Sequence, residues 1–315
     1  MKTDIKSHIF WKFAFKGKYP LFEAEEGELY SRIMAVVKWI PILFLGFQFL
    51  HLFNVSDFSK ANMVSSLWPI VPFQDVPTNI MVLCLHINMF IAFASLCFYG
   101  QSFLLKLYAF VTYFFYVAFA HSFGKIDHVL HLPLMILFGY LLMPSKRIDQ
   151  YKAKTILVFA SLQFFLLFSY TLTGLWKLFW GVVQYVQGEV SVFSPLSLRN
   201  TLVYQFHVNT PTLLGEWLIE HYYLGWIAFW MVLYLEVCSV WVFFKANLHK
   251  IWGVLLIALH LAIALIMDVV MFTAPITLGV LLLMSPFYKP SNVKTTLLSF
   301  PIISLVGRFF NKDEV

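Results

Sequence analysis

Lys177 is the side chain in this sequence best placed to do chemistry from inside an apolar stretch. It lies in the segment from Tyr170 to Leu178 (YTLTGLWKL), which closes an apolar run that begins near Thr155. On a helix, Gln163, Tyr170, Gly174 and Lys177 share one stripe, at spacings of seven, four and three. An ammonium at the edge of hydrocarbon is costly to bury. Two readings follow. Either the lysine stem packs while the amine snorkels to the interface, or the amine is a base in a site.

The other ionisable residues in apolar runs weigh on that choice. Depth is counted from the ends of each run at ~1.5 Å per residue. His51 and His121 then close the first and third runs at the outer side, and His86 lies a third of the way into the second. Asp127, His128 and His131 open the fourth run, and Lys177 ends the fifth. Glu236 falls past the middle of the sixth, toward the inside; His260 lies near the middle of the seventh, with Asp268 two turns further out. Most of these groups share the outer half of the membrane. Histidines, carboxylates and one amine are the inventory of an acid–base site or of a proton path. Each also has a plainer reading. His51 and His121 suit an interface, His86 a bond to a neighbour such as Asn88, and Glu236 a donor on an adjacent helix. His128 and His131 stand at i, i+3, a metal-compatible spacing with no third ligand evident, so no metal is expected.

The elements that must position these residues are legible in the composition. The chain has 315 residues, 60% hydrophobic, 19% aromatic and 12% charged, with a mean hydropathy of +0.78. Soluble domains carry about twice that charge, so the expectation is an all-α, polytopic transmembrane helix bundle. Eight apolar runs cover residues 33–53, 80–98, 103–120, 129–143, 156–176, 222–244, 251–272 and 274–287. The fourth and eighth are short, and Pro133 and Pro275 are placed to kink them. With the N-terminus inside, seventeen Lys and Arg fall in inner segments, Lys106 among them, and three in outer segments. That bias supports eight spans with both termini inside. The membrane domain is then 31–288, flanked by an interfacial amphipathic segment at 1–30 and an inner tail at 289–315. No apolar h-region opens the sequence, so the first span is expected to act as the targeting signal. Two outer segments, 54–79 and 180–221, are expected to cap the bundle, the second with short interfacial helices at 182–185 and 213–218. Cys84, Cys97 and Cys238 lie in apolar runs with no CxxC pair, which argues against dithiol chemistry. Asn54 opens a sequon of low specificity. The basic residues form no compact patch, so nucleic acid is not an expected partner.

Taken in order, several short stretches resemble the vitamin K-dependent gamma-carboxylase-like, or HTTM (horizontally transferred transmembrane), membrane family. Its bacterial members include the sporulation-delaying-protein B type. Tyr170, Gly174 and Lys177 resemble the family's tyrosine–glycine–lysine stretch, whose lysine is taken as the catalytic base. Asp127-His128 resembles an asparagine–histidine pair opening a helix. Tyr185-Val186-Gln187-Gly188 with Phe193-Ser194-Pro195 resembles a tryptophan-x-x-glycine followed by Phe-Ser-Pro, and His260-Leu261 with Met271-Phe272 resembles the histidine helix. Asp127 and Tyr185 depart from the pattern, and the large lumenal portion of the carboxylase has no counterpart here.

The resemblance implies a membrane core that oxidises a reduced quinone of the vitamin K or menaquinol type. Lys177 would be the base, His128 and His260 would hold quinone oxygens, and Tyr170, Gly174, His86, His131 and Trp176 would line the cofactor. Such a base must be a neutral amine, and apolar Leu175, Trp176, Leu178, Phe179 and Trp180 around Lys177 disfavour its charged form. The expected location is the plasma (inner) membrane of a bacterium. Expected partners are membrane lipids, the quinone, and a secreted peptide or protein substrate or a partner subunit. The rival readings are a non-catalytic helper in maturation or export of a secreted peptide, a quinone-linked respiratory subunit of the DoxX-like kind, and a proton-coupled permease. No inverted repeat supports the last.

Overall fold

The computed structural model describes residues 23–52, 63–100, 102–123, 130–207, 209–269 and 271–303. Those residues are helical, with no strand among them. Asp127, His128, the Asn54 sequon and the 1–22 segment lie outside them. The helices are α1 (Glu23–Val37), α2 (Trp39–Leu52), α3 (Thr78–Tyr99), α4 (Phe103–His121), α5 (His131–Leu142), α6 (Tyr151–Val186), α7 (Ser197–Gln205), α8 (Leu213–Glu220), α9 (Tyr222–Val237), α10 (Ser239–Phe243), α11 (His249–Met267), α12 (Thr273–Leu278) and α13 (Val293–Ser299). α12 runs on into a π turn at Gly279–Leu283.

Among the described residues, five helices are long and apolar enough to cross a membrane: Glu25–Gln48, Thr78–Tyr99, Phe103–His121, Tyr151–Val186 and Ala246–Met267. The count rises to six if α8 and α9, bent by 108° at their junction, form one span. The chain is thus built as a multi-pass membrane protein. The fourth and eighth runs give only short apolar helices, His131–Leu142 and Thr273–Leu283. At 12 residues, α5 rises about 18 Å against a hydrocarbon core of about 30 Å. Pro133 and Pro275 do not kink these helices. Each is the third residue of its helix, where the missing N–H has no partner to lose.

Two compact units divide the chain between Leu162 and Gln163, within α6. In the first, α2 packs on α3, α3 on α4 and α4 on α5, around the rings of Phe44, Phe93 and Tyr113. Polar side chains fasten its ends. Ser122, the C-cap of α4, accepts Leu67 N on its hydroxyl (3.1 Å) and Val64 N and Ser65 N on its carbonyl (3.0 and 3.2 Å). That ties the 64–67 stretch to the end of α4. Lys106 is not a loop residue. It sits buried in the first turn of α4, donates to Met143 O (3.1 Å) and lies over the Tyr140 ring. Its charge thereby meets the carbonyl end of α5, where a cation is favoured.

The second unit holds the rest of α6 and everything after it. α6 has 36 residues, about 54 Å at ~1.5 Å per residue, longer than a bilayer core. It does not stop at Trp176. The expected interfacial turn at 182–185 is its last part, and the outer segment begins only at Gln187. The stop is a Schellman motif: Gly188 N bonds Tyr185 O (3.1 Å), Glu189 N bonds Gln184 O (2.9 Å), and Gly188 takes φ +75°. A side chain at 188 would be strained there, so the glycine of the Tyr185–Gly188 stretch is a helix terminator.

α7, which the sequence reading lacks, and α8 then fold over the end of α11. Thr212 Oγ1 donates to Ile266 O (2.8 Å), and Asn209 Nδ2 donates to Met267 O (3.3 Å), so two terminal carbonyls of α11 are satisfied by the cap. Gly215 allows this approach, because a Cβ there would lie 2.4 Å from Ile266 O and from the Phe206 ring. Gly215→Ala should therefore destabilise the cap by about 1–3 kcal/mol, read as faster proteolysis of 197–220 and a lower melting temperature. Gly46→Ala, with nothing within 4 Å of its Cβ, should be neutral. Equal melting temperatures for the two variants would contradict the packing.

Candidate functional site

The stripe foreseen on α6 is formed and points into the second unit. Its upper part meets the end of α9. A Cβ on Gly174 would come within 2.8 Å of Val237 N and Cγ2 and 2.9 Å of Glu236 Cβ. Glycine alone lets the two backbones pass this closely. The approach brings Lys177 Nζ to both carboxylate oxygens of Glu236, at 2.6 and 2.8 Å. The carboxylate is buried, with 6% of its side chain exposed, while the lysine keeps 34%.

This pairing corrects the depth count, which put Lys177 and Glu236 toward opposite sides. Lys177 is the 27th residue of a 36-residue helix and not its end. The sixth apolar run is also not one straight rod, since it starts just past the bend between α8 and α9 and breaks at Cys238. Thr171 makes the break. In an intact helix Val240 N would bond Glu236 O; here it bonds Thr171 Oγ1 (2.9 Å), and the threonine hydroxyl lies 3.3 Å from both Glu236 O and Val237 O. A side chain inserted into the ladder in this way opens a helix. Thr171 was not singled out in the sequence reading, although it directly follows Tyr170 in the chain.

One level lower on the stripe, the Tyr170 hydroxyl and His260 Nε2 form a 2.6 Å hydrogen bond. His260 Nδ1 is buried and has no hydrogen-bond partner. In either tautomer that nitrogen is an unsatisfied donor or acceptor, aligned by the bond its other nitrogen makes. The two pairs act on each other through space, the Glu236 charge on Tyr170 and the Lys177 charge on His260. Four polar residues from α6, α9 and α11 thus form one cluster that offers a carboxylate, an amine, a phenol and an imidazole.

The remaining expected site residues behave differently. Trp176 is 61% exposed, stacks on Phe179 and meets Trp180 edge-on, on an outward aromatic face of α6. His86 and His131 belong to the first unit. His86 Nδ1 meets Gln48 Oε1 at 2.9 Å, whereas Asn88, the neighbour proposed for it, bonds Cys84 O and Tyr108. His131 packs its ring edge-on to His121, which is buried. His128 lies outside the described residues. Among those residues no group of three or more His, Cys, Asp or Glu is arranged to hold a metal. Comparison of the chain with protein-family models, with curated proteins and with solved structures finds no match in any of the three.

The close approach at Gly174 makes a specific prediction. Gly174→Ala should cost about 1–3 kcal/mol, because one of the atoms its Cβ meets is backbone and cannot swing away. Chemical denaturation in detergent measures this, and wild-type stability in the variant would contradict the approach.

Proposed function

We propose that this chain is an eight-span, inner-membrane protein of the carboxylase-like (HTTM) type, and that the cluster in its second unit takes a proton from a reduced quinone. The observation that carries this reading is the pair of pairs, Lys177–Glu236 and Tyr170–His260, with a buried imidazole nitrogen left free for a ligand oxygen. The eight-span topology needs α5, and α12 with its π turn, to serve as short crossings. The excess of basic residues in the segments assigned to the inside supports N-in, C-in.

The ion pair changes how the base works. Lys177 is engaged by a carboxylate, so the proton acceptor is the pair and not a lone amine. Glu236 accepts a proton from the quinol hydroxyl, and the Lys177 ammonium stabilises the oxyanion left behind. His260, fixed by Tyr170 through Nε2, presents Nδ1 to a quinone oxygen. The exposed aromatic face at Trp176, Phe179 and Trp180 suits a long isoprenoid tail lying against α6.

The test is a product assay on the purified protein in nanodiscs, supplied with a reduced naphthoquinone and oxygen and read by mass spectrometry for quinone epoxide. Lys177→Ala and Glu236→Gln should each lower turnover by about 100-fold or more. Full turnover in folded Lys177→Ala protein would refute the assignment. No product from folded wild type, with short- and long-tailed quinols, would favour the helper reading.

A further inference from the structure

The quinol reading uses only the upper part of the α6 stripe. Below it, Gln163 is wholly buried and donates through Nε2 to Leu281 O and to Ser285 Oγ (2.8 Å). Ser285 Oγ also meets Nδ1 of His249, another wholly buried residue, at 2.8 Å. His249 opens α11, next to exposed Lys250. Gln163 Oε1 is buried without a hydrogen-bond partner. Helix–helix fastening explains the bonded atoms of this group but not the orphaned oxygen.

The arrangement repeats. Gln163, Tyr170 and Lys177 stand seven residues apart on α6, so successive levels are separated by about 10 Å. Each level has a polar partner from another helix: His249–Ser285 for the first, His260 for the second, Glu236 for the third. Thr273 and Thr277, one turn apart on α12, are both buried, and α12 packs against α11, which carries His260. Thr277 hydrogen-bonds Thr273 O (2.8 Å) and keeps acceptor capacity. Gly253, against Leu282 and Leu283, sets the π turn close to α11.

We propose that this line of polar groups is a proton path through the second unit, running from His249 and Ser285 past Gln163 and Thr277 to Tyr170–His260 and the Lys177–Glu236 pair. Imidazole, hydroxyl and carboxylate groups both take up and release protons, whereas Gln163 positions water. The orphaned Gln163 Oε1 and His260 Nδ1 are the atoms that hold bridging water, since buried water binds polar groups left unsatisfied by the protein. Both ends reach the surface of the protein: Lys177 is one-third exposed, and Lys250 beside His249 is exposed. A proton entering at one end leaves at the other, in the direction set by the membrane potential, and no other reactant is consumed.

The test uses purified full-length chain in phospholipid vesicles holding pyranine, with a potassium gradient and valinomycin to impose a potential. Proton flux should exceed that of protein-free vesicles by about tenfold, as expected for ionisable groups lining a membrane path. Thr277→Val, which keeps the shape of the side chain, should abolish most of that excess. Gln163→Leu and Tyr170→Phe should do the same, and Thr277→Ser should restore it. Wild-type flux no greater than that of empty vesicles would overturn the proposal. So would full flux in Thr277→Val protein of unchanged melting temperature. No quinol is present, so a protein that oxidises quinol but conducts no protons refutes the path alone.

Discussion

A charge placed among apolar helices must be met by another charge or by a full set of hydrogen bonds. In this protein that constraint falls on Lys177 and Glu236. Neither sits comfortably alone: the carboxylate is almost wholly enclosed, and the ammonium is only one-third exposed. Their contact requires two helices to approach more closely than ordinary side chains permit, and Gly174 provides the space. It also requires Glu236 to stand at the end of a helix, and Thr171 ends that helix by taking over the hydrogen bond its ladder loses. The glycine, the threonine and the ion pair are therefore one construction. Tyr170 lies on the same stripe and receives His260 from a third helix.

The two units treat buried polar groups differently. In the first they act as fasteners. Gln48 joins α2 to α3 through His86, Lys106 caps α5, and Ser122 holds an outer segment. In the second, three buried side-chain atoms, Gln163 Oε1, Ser197 Oγ and His260 Nδ1, have no hydrogen-bond partner among the described residues. Leaving such groups unmet costs about 1–3 kcal/mol each, a burden that a folded core sheds unless a ligand or water meets them.

Much of α6 was readable from spacing alone. Tyr170, Gly174 and Lys177 fall on one face because the helical period is 3.6 residues, and no tertiary contact alters that. The partner of Lys177 was not readable. The stretch around Glu236 (LEVCS) holds neither proline nor glycine, so nothing local marks the break at Cys238. The break is imposed by Thr171, 69 residues away from Val240 in sequence. The end of α6 was misplaced for a similar reason. The apolar run was closed at Trp176, before Lys177, but the helix continues to Val186. Gly181 packs against Val192, and the true stop is the left-handed Gly188. The span count was read from hydropathy, which registers apolar length and not bends. The α8–α9 bend was therefore beyond it, whereas the shortness of the fourth and eighth runs was legible.

The most direct test of this account is a charge exchange across the pair. Lys177→Glu and Glu236→Lys should each destabilise the protein, because each sets two like charges against one another. The double exchange should recover at least half the combined loss, a coupling of about 1–2 kcal/mol by denaturant unfolding. Losses that simply add in the double variant would show that Lys177 and Glu236 do not meet in the folded protein, and the site built on them would fall.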